Sequence, residues 1–213
     1  MHATDASVCP YPAGNSSAGR MAIEASELGF DSIVVIDGEP ACSDTLCILR
    51  GMVIRASSVK DLLKQAQRAG PEIDLIFVDA GDLAFNRAAV TARGVSVLRS
   101  IYRSPKNAFD HVAARAAAER GVAVDINLYP IVHYRGAGRQ KVLHRYADLL
   151  LLHRRYGFGL TISSNARSIL DQRSVRETER LCALFGMTHE EVAAALATVG
   201  TLLRPARPVR VIA

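Results

Sequence analysis

The chain contains no tryptophan and only six tyrosines and six phenylalanines among its 213 residues. It also lacks the Lys/Arg-Gly-Phe pattern with which sheet-based RNA-binding modules stack bases on aromatic rings. No stretch approaches the length of a membrane-spanning apolar helix, because the run Leu149–Leu152 is followed at once by His153, Arg154 and Arg155. We therefore expect a cytoplasmic protein without a membrane segment, and any nucleic acid that it binds should be recognised through backbone and shape.

Motifs that would specify a catalytic site are missing as well. There is no His-x-His or His-Glu-x-x-His spacing, no glycine-rich phosphate fingerprint and no Gly-x-Ser-x-Gly turn. The four cysteines show no Cys-x-x-Cys pair and are too sparse for a disulfide scaffold. A scattered set of residues falls near the ends of predicted strands, where a barrel enzyme would draw its metal ligands: His2, Asp5, Asp37, Asp79, Asp125 and His133. We interpret this set as structural and expect neither a catalytic residue nor a metal ligand.

The charge is uneven in kind and in position. Of the 26 basic residues only Lys60, Lys64, Lys106 and Lys141 are lysines, and the guanidinium groups of the arginines suit phosphate recognition. The net charge is −4 up to Leu98 and +9 from Arg99 onward, which together give the +5 of the whole chain. The basic character of the chain therefore lies in its second half.

Short apolar runs rich in β-branched residues alternate with segments of helical periodicity. The six clear runs are 31–37, 46–56, 74–79, 95–98, 122–126 and 159–163, with weaker candidates at 3–9 and 209–212. This alternation predicts a mainly parallel sheet, and the number of strands approaches that of an eight-stranded barrel. The interval from Asp37 to Leu46 is too short to hold a covering helix. We predict a shortened TIM-barrel-like (β/α) barrel that lacks at least one helix, with an open doubly wound parallel sheet as the alternative.

The helical segments complete this picture of one domain over residues 1–213. Apolar stripes over 109–117 and 142–153 predict helices that cover the sheet. Near the end, Ser174 to Glu177 and Thr188 to Glu191 both have the Ser/Thr-x-x-Glu form of a capping box. They predict two short C-terminal helices, which a basic tail follows.

The arginines and lysines fall into two groups. Some lie in the last turn of a predicted helix, where a cation complements the helix dipole: Arg68, Arg93, Arg120, Arg154 and Arg155. Others follow strands or precede helices, where parallel α/β folds present their binding loops: Arg99, Arg103, Lys106, Arg135, Arg139, Lys141, Arg145, Arg167 and Arg173. The second group contains the candidates for binding an anion.

The order of these elements resembles the ribonuclease P protein component 3 family. The resemblance is strongest from Gly121 to Val199, where GVAVDINLYPIV is followed by a basic helix and then by GLTISSNARSILDQRSVRETERLCALFGM. The segments SELGFDSIVVID and GVSVLRS fit the family's earlier strands. The resemblance implies a barrel related to the polymerase and histidinol phosphatase metal enzymes, but without a complete metal site.

For function, the resemblance implies a protein subunit of ribonuclease P, the ribonucleoprotein that cleaves the 5′ leader of precursor tRNA. It further implies that the RNA subunit carries catalysis and holds the magnesium ions, while the isolated polypeptide is not catalytic. The implied partners are the ribonuclease P RNA, ribonuclease P protein component 2 and, indirectly, precursor tRNA. Two alternatives remain from the residues themselves: a metal-dependent phosphoesterase on the same barrel, and an enzyme that acts on a phosphorylated small molecule.

The stretch TISSNARSILDQRSVRE, residues 161–177, is the most specific part of the predicted RNA-binding surface. Its strand should deliver Ser164 and Asn165 to the rim of the sheet, and Ser174 should cap the next helix beside Arg173. The free amides of a helix N-terminus favour an anion. Together with the candidates above, we predict that RNA is bound by Ser164, Asn165, Arg167, Arg173, Arg176, Arg135, Arg139, Lys141, Arg145, Arg99, Arg103 and Lys106.

Overall fold

Seven parallel strands form the central sheet of the computed structural model, which describes residues 2–38 and 46–203. Each strand pairs with the next one along the chain, in the order β1 Thr4–Val8, β2 Ser32–Ile36, β3 Cys47–Ile54, β4 Leu75–Asp79, β5 Val97–Arg99, β6 Ala123–Asn127 and β7 Leu160–Ser163. The six clear strand predictions and the weaker one at 3–9 are confirmed. The candidate strand at 209–212 lies outside the described residues.

The first and last strands meet, so that the sheet curls into a nearly closed barrel. A parallel bridge joins Val8 to Ala166. The backbone N–H of Cys9 donates to the carbonyl of Ala166 at 2.8 Å, and the N–H of Asn165 donates to the carbonyl of Ser7 at 2.9 Å. These bonds satisfy backbone groups that an open sheet would leave unpaired at its two edges. The barrel prediction is thereby confirmed over the doubly wound alternative.

Helices follow most of the strands. They are α1 Ala18–Glu27, α2 Val59–Arg68, α3 Leu83–Thr91, α4 His111–Arg120, α5 Tyr129–His133, α6 Gly136–Tyr156, α7 Val175–Ala183 and α8 His189–Leu202, with short 3₁₀ helices at Ile101–Arg103 and Ile169–Asp171. No helix lies between β2 and β3 in the described residues, although residues 39–45 fall outside them. Within the same ranges, no helix is long and apolar enough to span a membrane.

The ends of the helices follow the local sequence. Both predicted capping boxes are present: Ser174 with Glu177 begins α7, and Thr188 with Glu191 begins α8. The predicted positions in last turns are confirmed for Arg68, Arg120, Arg154 and Arg155. The prediction is wrong for Arg93, because α3 ends at Thr91.

Strand side chains alternate between two apolar clusters, one on each side of the sheet. The smaller cluster contains Val34, Phe77 and Val97 and fills the barrel interior. Ile33 and Val35, on the other face of β2, belong to the larger cluster, which includes the apolar faces of the surrounding helices. The two layers together fix which face of each strand points inward.

The two openings of the barrel differ in polarity. Val199 of α8 belongs to the interior cluster, and Gly159, just before β7, lies against Thr198, so α8 covers the opening at the amino ends of the strands. The opposite opening, at the carboxyl ends, collects buried polar side chains: Arg99, Ser100, Asp125, Asn127, Ser163, Ser164 and Asn165. The carboxyl end of the barrel is therefore the place to look for a site.

Gly14 allows the loop after β1 to lie against the loop after β7. A Cβ atom at this position would overlap the carbonyl oxygens of Cys9 and Arg167. We expect Gly14→Ala to lower the free energy of unfolding by about 1–3 kcal/mol, since both obstacles are backbone atoms. Urea denaturation followed by circular dichroism measures the free energy of unfolding, since the protein has no tryptophan for fluorescence detection.

Gly19, in the first turn of α1, is the matched control because a Cβ atom there meets nothing within 4 Å. Gly19→Ala should raise the free energy of unfolding by about 0.4–1 kcal/mol by restricting the unfolded chain. Equal stabilities of the two variants would show that the close approach at Gly14 is not a constraint.

Candidate nucleic-acid interface

Arg99, the last residue of β5, cross-links the carboxyl end of the barrel. Its Nη2 donates to Asn165 Oδ1 at 2.7 Å, and its Nε lies 3.2 Å from Asp79 Oδ1. Asn165 also accepts a hydrogen bond from Ser7 Oγ at 3.1 Å and donates to Ser163 Oγ at 2.6 Å. Since the Arg99 side chain is only 11% exposed, it acts first as an internal tie between strands and differs from the surface phosphate ligand that the sequence predicts.

Two buried carboxyl groups lie near this network. Asp125 Oδ1 accepts from Thr161 Oγ1 at 3.1 Å, and its Oδ2 accepts from Ser163 Oγ at 2.6 Å. Asp5 Oδ1 accepts from the backbone N–H of Ser164 at 2.9 Å. Burial raises the pKa of Asp5 and of Asp125 to about 6 in spite of these bonds.

The structure corrects the predicted role of Ser164 and Asn165. Both are buried, and Asn165 has a left-handed backbone with φ of 47°. Ser164 Oγ accepts from the N–H of Ala166 at 3.1 Å, while the amide of Asn165 is engaged by Arg99 and by serine hydroxyls. Their side chains therefore shape the turn that follows β7 instead of reaching outward to a phosphate.

The three arginines of the same stretch do not assemble one site. Arg167 is exposed and lines the mouth of the barrel. Arg173 Nη1 donates to the carbonyls of Leu170 at 2.9 Å and Gln172 at 2.6 Å, and this side chain lines a different cavity, together with Leu196. Arg176 is exposed in the first turn of α7. Arg167 and Arg173 therefore lie at different places on the surface, with the 3₁₀ helix at Ile169–Asp171 between them, and their binding to RNA stays a prediction.

A second set of predicted residues does come together, between α6 and the loop that follows β5. We call this surface the basic groove; it is lined by Arg103, Ser104, Pro105, Lys106, Lys141, His144, Arg145 and Asp148. Four of these residues are arginine or lysine, and one is an aspartate. The groove thus combines two parts of the sequence that are far apart in the chain.

Arg145 holds the two walls of the basic groove together. Its Nη1 donates to the carbonyl of Lys106 at 2.6 Å, and its Nη2 donates to the carbonyl of Ser104 at 2.7 Å. The guanidinium of Arg145 is consequently committed to the loop. The side chains of Lys106 and Lys141 are exposed and make no hydrogen bond or ion pair with any residue in the described ranges, which leaves both ammonium groups available to an anion.

Arg135 and Arg139 lie near the start of α6 but not in the lining of the basic groove. Arg135 precedes the helix, and its Nη1 donates to the carbonyl of Val132 at 2.7 Å. Arg139 is half-buried, and its Nε finds no hydrogen-bond partner in the described part of the chain. These two predicted residues therefore do not line the basic groove with Lys141 and Arg145.

The scattered His and Asp residues are not gathered into a metal site. His2 Nδ1 lies 3.4 Å from Asp31 Oδ2 at the amino end of the barrel. His133 Nε2 lies 3.2 Å from Asp171 Oδ1, and its ring stacks on Tyr129 with centroids 3.9 Å apart. Within residues 2–38 and 46–203, no three His, Cys, Asp or Glu side chains are placed to hold a metal ion.

Sequence reasoning missed Arg55, whose Nε lies 3.4 Å from Asp79 Oδ2 at the mouth of the barrel. Arg55 comes directly after the apolar run of β3, just as Arg99 ends β5 and Arg167 follows β7. Its position after a strand was the signal that could have identified it.

Comparisons with known proteins agree with this geometry. The barrel places the chain among the (β/α) barrels. An archaeal ribonuclease P determined by cryo-electron microscopy with mature tRNA contains a chain that superposes with a TM-score of 0.78 at 19% identity, over 94% of this chain and 89% of that chain. Histidinol phosphate phosphatase from Lactococcus lactis, complexed with zinc, L-histidinol and phosphate, superposes with a TM-score of 0.60 at 13% identity, over 87% and 94% of the two chains. At these identities both likenesses concern the fold.

Sequence comparison identifies the family. The family profile described as RNase P subunit p30 matches residues 2–208. Ribonuclease P protein component 3 of Methanothermobacter thermautotrophicus is 32% identical over 193 residues, which cover 83% of this chain and 79% of that protein. The protein of the same name in Methanococcoides burtonii is 30% identical over 199 residues, covering 90% and 83%. The chain therefore belongs to the RNase P subunit p30 family.

The raised pKa of Asp5 gives a pH dependence with a defined sign. Because the folded state binds the proton more tightly, the stability due to this carboxyl is complete below the ordinary pKa of 3.8 and is lost as the pH rises to about 6. Asp5→Asn retains an oxygen acceptor for the Ser164 N–H. We expect the free energy of unfolding of this variant, relative to wild type, to improve by up to about 3 kcal/mol across that window.

Asp110→Asn is a control of opposite sign. A hydrogen bond from Arg87 holds the pKa of Asp110 below its ordinary value of 3.8, so this variant should lose stability relative to wild type as the pH rises to about 4–5 and change little above it. Urea denaturation at a series of pH values from about 2.5 to 7 measures both variants. A parallel response of Asp5→Asn and Asp110→Asn would refute the assigned cause.

Proposed function

We propose that this subunit of ribonuclease P is an RNA-binding scaffold and that the basic groove is the surface on which the ribonuclease P RNA lies. The observation that carries the proposal is that some cations of the groove are bonded within the protein and others are not. The guanidinium of Arg145 donates hydrogen bonds to the carbonyls of Ser104 and Lys106, whereas the side chains of Lys106 and Lys141 are exposed and lack a partner in the described residues. A rigid surface with unpaired cations suits a phosphate backbone, whose neutralisation provides affinity without reading sequence.

The polar mouth of the barrel supports a scaffold role over that of a phosphoesterase. Asp79 is engaged by Arg99 and by Ser100 Oγ, which donates to its Oδ1 at 3.0 Å, and Asp125 is engaged by two hydroxyls. Recruiting these carboxylates to a metal would require the loss of those bonds. We therefore assign cleavage of the 5′ leader of precursor tRNA to the RNA component, with its magnesium ions, and contact with precursor tRNA to the assembled particle.

We further assign ribonuclease P protein component 2 as the protein partner and the cytoplasm, away from any membrane, as the location. Family membership supports both assignments. The structural likeness to a chain of an archaeal ribonuclease P is consistent with a place in a larger assembly.

The RNA-binding role of the basic groove is tested by the double substitution Lys106→Gln and Lys141→Gln. We expect the double variant to bind the ribonuclease P RNA more weakly than wild type does. The loss of affinity should be similar for unrelated folded RNAs. The slope of log affinity against log salt should fall by about 0.7–0.9 for each lost phosphate contact. Filter binding over a series of salt concentrations measures both quantities.

The chain provides a matched control, because its other two lysines, Lys60 and Lys64, lie exposed on α2. Lys60→Gln together with Lys64→Gln changes the net charge equally and should leave affinity and salt slope near the wild-type values. If the two double variants lose affinity equally, binding reflects net charge and the groove is not the RNA surface.

The partner assignment is tested by co-expression with component 2 followed by gel filtration. An interface of standard size, about 1,600 Å², should keep the two proteins in one peak at micromolar concentration. The sample is treated with ribonuclease first, so that RNA cannot bridge the proteins. Elution as two separate peaks after this treatment would exclude a direct, stable complex.

A further inference from the structure

The mouth of the barrel contains a polar cavity that adjoins the basic groove and shares Arg103 with it. Four guanidinium groups line it, from the ends of three different strands and the 3₁₀ helix after β5: Arg55, Arg99, Arg103 and Arg167. The remaining lining residues are Cys9, Asp79, Ser100, Tyr102, Asn127, Tyr129 and Asn165. The volume of this cavity is about 110 Å³. It can take a phosphate group, and the attached nucleoside would extend toward the open side of the mouth.

The buried arginine of this cavity has an unsatisfied donor. Arg99 as a residue is 9% exposed, and its Nη2 is bonded to Asn165. Its Nε is 3.2 Å from Asp79 Oδ1, but the alignment does not make a hydrogen bond, and Nε has no other partner in the described residues. A buried donor without an acceptor is costly, on the order of 1–3 kcal/mol. An anion in the cavity would supply the missing acceptor.

The other three arginines of the cavity differ in exposure and in their bonding partners. Arg55 is 72% exposed and lies 3.4 Å from Asp79 Oδ2. Arg103 Nε donates to Tyr102 OH at 2.9 Å, which fixes its head group beside the ring. The guanidinium of Arg167 makes no hydrogen bond or ion pair with residues 2–38 or 46–203. The cavity therefore has a buried arginine at its floor and three arginines at its rim, of which Arg167 has no partner in the described part of the chain.

The charge balance favours an anion. Against the four guanidinium groups stands the carboxylate of Asp79, and Asp125 lies buried beneath it with its pKa raised to about 6 by burial. Burial also raises the pKa of the Cys9 thiol, although Arg99 and Arg167 act in the opposite direction. Even with both carboxylates ionised, the lining carries a net positive charge. A dianion gains more from such a cluster than a monoanion does, which favours a phosphate monoester over a backbone diester.

We propose that the mouth of the barrel binds the phosphate group of a nucleotide, either a free mononucleotide or the phosphorylated end of an RNA strand. Arg99 holds the phosphate from the floor of the cavity, and Arg55, Arg103 and Arg167 neutralise it from the rim. Tyr129, whose ring is held by stacking on His133, provides an apolar wall for the attached nucleoside. The proposal rests on the mouth alone and does not require that the basic groove bind RNA.

Inorganic phosphate and adenosine 5′-monophosphate are the probes, and isothermal titration calorimetry at an ionic strength of about 0.1 M, where the Debye length is about 10 Å, is the measurement. We expect both to bind the wild-type protein at one site and to compete with each other. Arg55→Gln together with Arg167→Gln should weaken both by at least about tenfold, because each lost charge-assisted contact is a strong one. These two residues are chosen because they are largely exposed and their replacement leaves the buried network of Arg99 in place.

Arg68→Gln together with Arg93→Gln is the matched control, since both residues are exposed near the amino ends of the strands. It removes the same charge and should leave probe binding within about twofold of wild type, because exposed charges more than a Debye length away are screened. Absence of stoichiometric binding to the wild-type protein would overturn the proposal. An equal loss in the control double variant would overturn it as well, since binding would then reflect diffuse charge.

The source of the phosphate is distinguished with a short single-stranded RNA that carries either a 5′-phosphate or a 5′-hydroxyl. If the wild-type protein binds the phosphorylated strand more tightly and Arg55→Gln/Arg167→Gln does not, the ligand of the site is the phosphorylated end of an RNA. If the protein binds the mononucleotide but binds the two RNA strands equally, the ligand of the site is a free nucleotide. Both outcomes support the site. The experiment is independent of the basic groove, because Lys106→Gln/Lys141→Gln should retain mononucleotide binding even if its affinity for the ribonuclease P RNA falls.

Discussion

The buried guanidinium of Arg99 is the interaction on which the carboxyl end of the barrel depends. It connects β5 to Asp79 at the end of the neighbouring β4 and to Asn165 after β7, so two adjacent strands and one that is distant in sequence share one charged group. A charge can be buried at acceptable cost only when its surroundings are polar and fixed, and the serines around Asn165 meet that condition. The same arrangement explains why Ser163 and Asn165 are buried.

The cations of the molecule therefore have different roles, although they look alike in sequence. Arg99 and Arg145 are structural ties, Arg154 pairs with Glu191 between α6 and α8, and a smaller set remains unpaired at the surface. Lys106 and Lys141 belong to that set on one side of the carboxyl end, and Arg167 belongs to it at the mouth. A guanidinium has five donors in a rigid plane, which makes it effective at joining carbonyl groups. Lysine, with its single mobile ammonium, is left for solvent and ligands.

The sequence was informative where local patterns decide the outcome. Alternation of apolar strands with helices predicted the barrel, and Ser174 and Thr188 were correctly predicted to start helices, because a capping box depends on residues only three apart. The partners of Arg99, Asn165 and Arg173 could not be predicted, because they depend on which loops meet after the barrel closes. Arg93 was misplaced for a simpler reason, since α3 ends before it. Position after a strand identified Arg103 and Arg167 as surface cations but could not separate them from Arg99.

The pairing of the first strand with the last has a consequence for biosynthesis. β1 leaves the ribosome early, yet the residues that close the barrel beside it, Asn165 and Ala166, follow about 160 positions later. Until then one edge of β1 has no backbone partner, and a growing sheet with an open edge is prone to pair with other chains. Contacts of such long sequence separation also form slowly. Completion of the fold is thus a late event, because the barrel cannot close until β7 and the residues after it are available to pair with β1.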